Sequence, residues 1–110
     1  MNNKTISISF NVQQLYYLPQ FLPVYHRLLK QKAGNATFVF YHGIHDAIIE
    51  DIIQSENLDH IWVKNNAEAN EYYKNQKDDW VFFGNTFPFL NEVHQVSKSV
   101  QLSHGVGPKT

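Results

Sequence analysis

Residues 5–12 alternate Ile6, Ile8 and Phe10 with Ser7, Ser9 and Asn11. A period of two predicts a strand, and the small off-face serines leave room for a helix against that side. The pattern changes after residues 13–18. Pro19 and Pro23 punctuate the approach to a helix that starts between Gln20 and Pro23, because proline fits a first turn and costs a hydrogen bond further in. Phe21, Leu22, Tyr25, Leu28 and Leu29 fall on one face of that helix, Arg27, Lys30 and Lys32 crowd its last turns, and Gly34 is its expected stop. Residues 36–41, A-T-F-V-F-Y, are apolar without a break, as in a strand covered on both faces. His42 and Gly43 end it. Asp46 is the expected N-cap of a second helix with Ile48, Ile49, Ile52 and Ile53 on one face and Glu50, Asp51 and Gln54 on the other.

The second half repeats the alternation. Residues 60–63 form a short strand. Asn65 or Asn66 caps a helix over 67–74 with Ala69, Tyr72 and Tyr73 inward. Residues 79–83, D-W-V-F-F, form a strand ended by Gly84. Asn85 or Thr86 caps a short helix over 88–94, with Phe89, Leu90 and Val93 apolar, and residues 98–103 form a fifth strand. Five strands alternating with four helices predict an α/β fold: a Rossmann-like three-layer αβα sandwich on a mainly parallel five-stranded sheet, residues 1–110 making one domain. Ligands of such sheets bind outside the carboxyl ends of the strands, which puts residues 11–17, 42–46, 84–86 and 104–109 on one rim.

Composition narrows the chemistry. Apolar residues at 43% and aromatics at 15% suit a packed core. The chain has no cysteine, which excludes disulfides and thiolate metal sites and fits a reducing compartment. Nine basic against ten acidic residues give a net charge of −1 with no basic cluster. That argues against nucleic acid as a partner and against a polybasic membrane patch. No apolar run approaches the roughly 20 residues of a membrane helix, and the N-terminus lacks the apolar core of a signal peptide.

Three stretches carry candidate chemistry. The first is S-H-G-V-G-P-K, residues 103–109, after the fifth strand. Gly105 and Gly107 let the backbone approach a ligand, Lys109 adds a charge that reaches phosphate, and His104 supplies a base that titrates near neutrality. The bland alternative is a glycine-rich turn that binds nothing. The second is H-G-I-H-D, residues 42–46. Its H-x-x-H spacing needs a third ligand to hold a metal, and no metal is expected; His42 keeps a ligand-facing place on the rim. The third is L-Y-Y-L-P-Q-F-L-P-V-Y, residues 15–25, where Tyr16 and Tyr17 are candidate walls of an acceptor pocket and Phe21, Leu22 and Tyr25 read as core. The loop after the first strand has no G-x-G-x-x-G, which disfavours an ordinary dinucleotide site.

Residues 15–25 and 103–109 together resemble the N-terminal half of the CDP-glycerol glycerophosphotransferase-like enzymes, the teichoic-acid and capsule polymerases of GT-B architecture. Better-known members read H-G-T-P-L-K where this chain has H-G-V-G-P-K. The resemblance implies a cytoplasmic transferase of cell-envelope biogenesis, or one peripheral to the inner face of the membrane, in which this domain binds the acceptor and a second domain binds the CDP-glycerol donor. It implies a polyol-phosphate or glycan acceptor and no cofactor. It also implies that His104 is the base that deprotonates the acceptor hydroxyl, that this oxygen attacks the β-phosphorus as CMP leaves, and that Lys109, with the amides near Gly105 and Gly107, offsets charge on the phosphate. Tyr16, Tyr17 and His42 are the further substrate-side candidates. On this reading the 110 residues are incomplete and do not turn over alone. Two other readings stand beside it: a GT-B sugar transferase or UDP-sugar epimerase relative, and a non-enzymatic binding module with a flavodoxin-like sheet.

Overall fold

The computed structural model describes residues 5–32, 34–84 and 86–102, with Tyr16 described in its backbone alone. Five strands form one sheet: β1 (Ile6–Val12), β2 (Gly34–Tyr41), β3 (His60–Val63), β4 (Trp80–Phe83) and β5 (Lys98–Gln101). Their order is β3-β2-β1-β4-β5 and every pairing is parallel. The helices are α1 (Leu18–Gln31), α2 (Asp46–Glu56), α3 (Asn66–Gln76) and α4 (Leu90–Val93). The protein is therefore α/β with a Rossmann-like αβα arrangement. The flavodoxin-like alternative is corrected by the strand order: here the chain crosses back over β1 after β3, whereas a flavodoxin-like sheet reverses one strand earlier.

Strand periodicity sorts the core into two layers. Ile8, Phe10 and Val12 of β1 join Phe38 and Phe40 of β2 beneath α1 and α2, where Phe21, Tyr25, Ile49 and Ile53 are buried. Phe10 is the hub of this layer: its ring lies 4.8 Å from Phe38 and 5.2 Å from both Phe21 and Phe82. The opposite layer packs Val39, Val63, Val81 and Phe83 under Ala69, Tyr73, Phe87 and Val93. On that side β1 offers Ser9 and Asn11, both buried, and each finds a polar partner: the Ser9 hydroxyl donates to Asp78 Oδ2 at 2.5 Å and Asn11 Oδ1 accepts from the Tyr73 hydroxyl at 2.6 Å.

Several boundaries differ from the sequence reading. Helix α1 begins at Leu18, ahead of the expected start, after a 3₁₀ turn over Leu15–Tyr17; Pro19 sits in its first turn, where a missing N–H costs nothing, and Pro23 is taken inside. Gly34 does not stop α1. Lys32 does, at φ 53°, and Asn57 and Lys77 end α2 and α3 in the same left-handed way. Gly34 instead opens β2 against Ile6. Leu29 and Ile48, expected inward, are half exposed. Asp46 is the first residue of α2 rather than its cap, whereas Asn65 caps α3 by accepting from the Glu68 amide at 2.9 Å. Helix α4 is a single turn, because Phe89 has φ −106° and ψ 28° and stays outside the helix.

Candidate functional site

With all strands parallel, the loops after β1, β2 and β4 leave from one edge of the sheet, and β5 ends there too. The chain turns back between β1 and β4, so this is the switch point where such sheets hold ligands. Here that crevice is occupied by protein. Tyr17, in the turn after β1, is 2% exposed, and its ring lies so close to Gly84 after β4 that a Cβ there would stand 2.6 Å from it. Only glycine leaves room for the ring. Tyr17 is thus packed in the core, not on an open wall.

The open space lies one strand over. A cleft of about 760 Å³ sits above the ends of β1 and β2, between α1 and α2. Leu15, Leu18, Pro19 and Leu22 form one wall, and Ile49 and Ile52 the other. The rim of the β2 loop supplies His42, Gly43, Ile44 and His45, and Ser55 and Glu56 close the far end. Glu56 also accepts from His26 at 2.9 Å, which ties α2 to α1. Gln13 lines the near end; its Nε2 donates to Asn66 Oδ1 at 3.3 Å, and its Oε1 is buried without a partner.

His42 is a titratable group with a defined orientation on the rim of this cleft. Its ring stacks on Trp62 of β3, with centroids 4.6 Å apart and planes 11° from parallel. Its Nδ1 lies 2.9 Å from Asp46 Oδ2, while Asp46 Oδ1 accepts from the Gly43 amide at 2.7 Å. These two bonds, the imidazole one first, hold the Asp46 carboxyl below its ordinary range. A carboxylate can only accept, so Nδ1 carries a proton and the neutral ring keeps its lone pair on Nε2. The result is a carboxylate-oriented imidazole, half exposed, on the edge of an apolar cleft.

A buried polar chain supports this edge from the opposite face. The Tyr41 hydroxyl lies 2.6 Å from Asn66 Oδ1 and 3.1 Å from Asn11 Oδ1, and Tyr73 donates to the same Asn11 oxygen. Burial pushes Tyr41 up to about 12, against the opposing bond from Asn11, and drives Tyr73 well above its usual value. Both hydroxyls therefore stay neutral and work as donors across the physiological range. They fix the ends of β1 and β2 against the start of α3.

Of the candidates named from sequence, Tyr17 and His42 are brought to the same edge but into different surroundings. Tyr16 lies in the 3₁₀ turn. His104, Gly105, Gly107 and Lys109 lie outside the described residues. The H-x-x-H pair does not act as a unit, since His42 turns to Asp46, and among the described residues no cluster of three or more His, Asp or Glu gathers in a way that could hold a metal. Reading the sequence missed the Asp46 and Trp62 partners of His42. The signal for Asp46 was present: an aspartate four residues after a histidine, across a helix start. Trp62 comes from another strand, and only the register of β2 with β3 reveals it.

The fold and this edge define a Rossmann-like domain with a ligand-sized cleft beside its switch point. Compared with protein-family models, with curated proteins and with solved structures, the chain has no significant match. No described helix is long and apolar enough to cross a membrane.

Proposed function

We propose that this domain is the acceptor side of a two-domain GT-B transferase of the CDP-glycerol glycerophosphotransferase type, with the acceptor lying along the carboxyl edge of the sheet. One observation carries the reading. The segment 15–25, half of the family resemblance, builds a wall of the cleft on that edge, through Leu15, Leu18, Pro19 and Leu22. The other half follows β5, whose end lies on the same edge. The ends of β2 and β5 are three strand spacings apart, about 14 Å. An acceptor that meets both the cleft and the segment after β5 is therefore extended, as a polymer or oligosaccharide is. In this reading the acceptor hydroxyl gives its proton to His104, its oxygen attacks the β-phosphorus, and CMP leaves with the donor-side domain.

The test is an amide-resolved NMR titration of the chain with acceptor-type oligomers and, separately, with CDP-glycerol. The expected result is that an acceptor oligomer shifts resonances on the carboxyl edge, anywhere from the 12–15 and 42–46 loops to the ends of β4 and β5, and that CDP-glycerol shifts none of them. CDP-glycerol shifting that edge, or every acceptor type leaving it unchanged, overturns the proposal. The reading also expects no CMP release when the 110-residue chain is incubated with CDP-glycerol and acceptor.

A further inference from the structure

The cleft has a chemical character of its own. Its walls are aliphatic, from Leu15, Leu18, Leu22, Ile49 and Ile52. Its polar positions carry amide, hydroxyl or imidazole groups at Gln13, Gln14, Tyr41, His42, His45 and Ser55, with the Glu56 carboxylate at the far end. None of its described lining residues is a lysine or arginine. Phosphate sites depend on charged or clustered N–H donors, and a carboxylate at the far end works against an anion. A neutral ring with an apolar face and hydroxyls at its edge meets both features of this lining: aliphatic walls for its C–H groups and acceptors at the rim for its O–H groups. The volume of about 760 Å³ lies within the range of small-molecule sites. His42 is the best prepared of the acceptors, because Asp46 fixes which nitrogen bears the proton and Trp62 fixes the plane of the ring.

Resting on the acceptor-side reading above, we infer that the cleft between α1 and α2 binds a neutral sugar unit of a glycan acceptor, with His42 Nε2 taking a hydrogen bond from one of its hydroxyls. Under this inference the acceptor is a glycan rather than a polyol-phosphate chain, and any phosphate it carries lies away from the cleft, toward β5. His42 is a binding residue here and no proton is transferred to it.

Two probes separate the classes: a methyl glycoside of a neutral hexose or N-acetylhexosamine, and a glycerol phosphate trimer, each titrated into the isotope-labelled chain. The glycoside is expected to shift the amides of Gln14, His42, Ile49 and Glu56 and the trimer to leave them unchanged. His42→Ala is expected to weaken the glycoside by about tenfold, the value of one well-placed hydrogen bond, and His42→Gln to recover part of it. Thermal melts of both variants check that losing the contacts with Trp62 and Asp46 leaves the fold intact, and the titration of the wild type needs no variant. The trimer shifting the cleft while the glycoside does not overturns the sugar assignment and leaves the acceptor-side reading in place. The glycoside binding in the cleft but being displaced by CDP-glycerol keeps the sugar site and removes the acceptor-side reading. A glycoside that shifts only residues outside the cleft, or no residue at all, overturns the inference, and His42→Ala binding as well as wild type removes His42 from it.

Discussion

The glycines of this chain differ in what their missing side chain permits. At Gly34 a Cβ would stand 2.1 Å from the Ile6 carbonyl oxygen and 2.8 Å from Ile6 Cγ1, at the first pair of the β1–β2 ladder. The nearest obstacle is backbone, which can give way only if the two strands separate. At Gly43, beside His42, nothing lies within 4 Å of the same construction. The expected outcome is that Gly34→Ala destabilises the domain by about 1–3 kcal/mol, the usual cost of forcing extra volume into a packed site. Gly43→Ala should stay within about 0.5 kcal/mol of wild type. Urea unfolding followed by tryptophan fluorescence measures both, and equal effects at the two positions contradict this account. Local sequence makes Gly34 a helix stop, whereas it opens β2. The close approach of Ile6 is a property of the strand pairing and leaves no trace in local composition.

Helix α1 carries its own conflict. Pro23 lies six residues into the helix and is exposed, so its ring adds little packing, while its nitrogen cannot donate to the carbonyl of Pro19. An interior proline costs about 3 kcal/mol relative to alanine, and its stiffening of the unfolded chain returns up to about 1 kcal/mol. Pro23→Ala is therefore expected to raise stability by about 2 kcal/mol, read as a higher urea midpoint with an unchanged slope; a lower midpoint means that Pro23 holds a geometry the cleft wall needs. Elements of this chain were legible wherever periodicity and packing agree. The alternation in β1, the unbroken apolar run of β2 and the isoleucine spacing of α2 each match the observed element. Ends were less legible, because they depend on single residues adopting unusual backbone angles. Lys32, Asn57 and Lys77 all end helices at positive φ without being glycine, and only Asn among them is a residue from which that would be guessed.

At the scale of the molecule, the parallel sheet was legible and so was the edge where the loops after its strands gather, since alternating strands and helices leave few other topologies. The content of that edge was legible in part. His42 was placed correctly on the rim, but its partners come from α2 and β3, and the filling of the switch point by Tyr17 depends on Gly84 across the sheet. The opposite, amino edge carries a further whole-molecule property. Asp78, between α3 and β4, is 1% exposed, and burial raises its carboxyl above 3.8, with bonds from Ser9, Ser7 and Gln76 opposing the rise only in part. A carboxyl raised in the folded state holds its proton to higher pH than the unfolded chain does. Between 3.8 and that raised value the folded state binds more protons, so this group's contribution to stability is complete below 3.8 and declines as pH rises through the raised value. Asp78→Asn removes the titration and keeps an acceptor for the Ser9 hydroxyl. The difference in unfolding free energy, wild type minus Asp78→Asn, is therefore expected to fall steadily as pH is raised from 3.5 and to level off once Asp78 is ionised. Exposed carboxylates such as Asp46 cancel in that difference. Urea titrations of both proteins at half-unit pH steps measure it, and a flat or rising difference shows that the Ser9, Ser7 and Gln76 bonds outweigh the burial of this carboxylate.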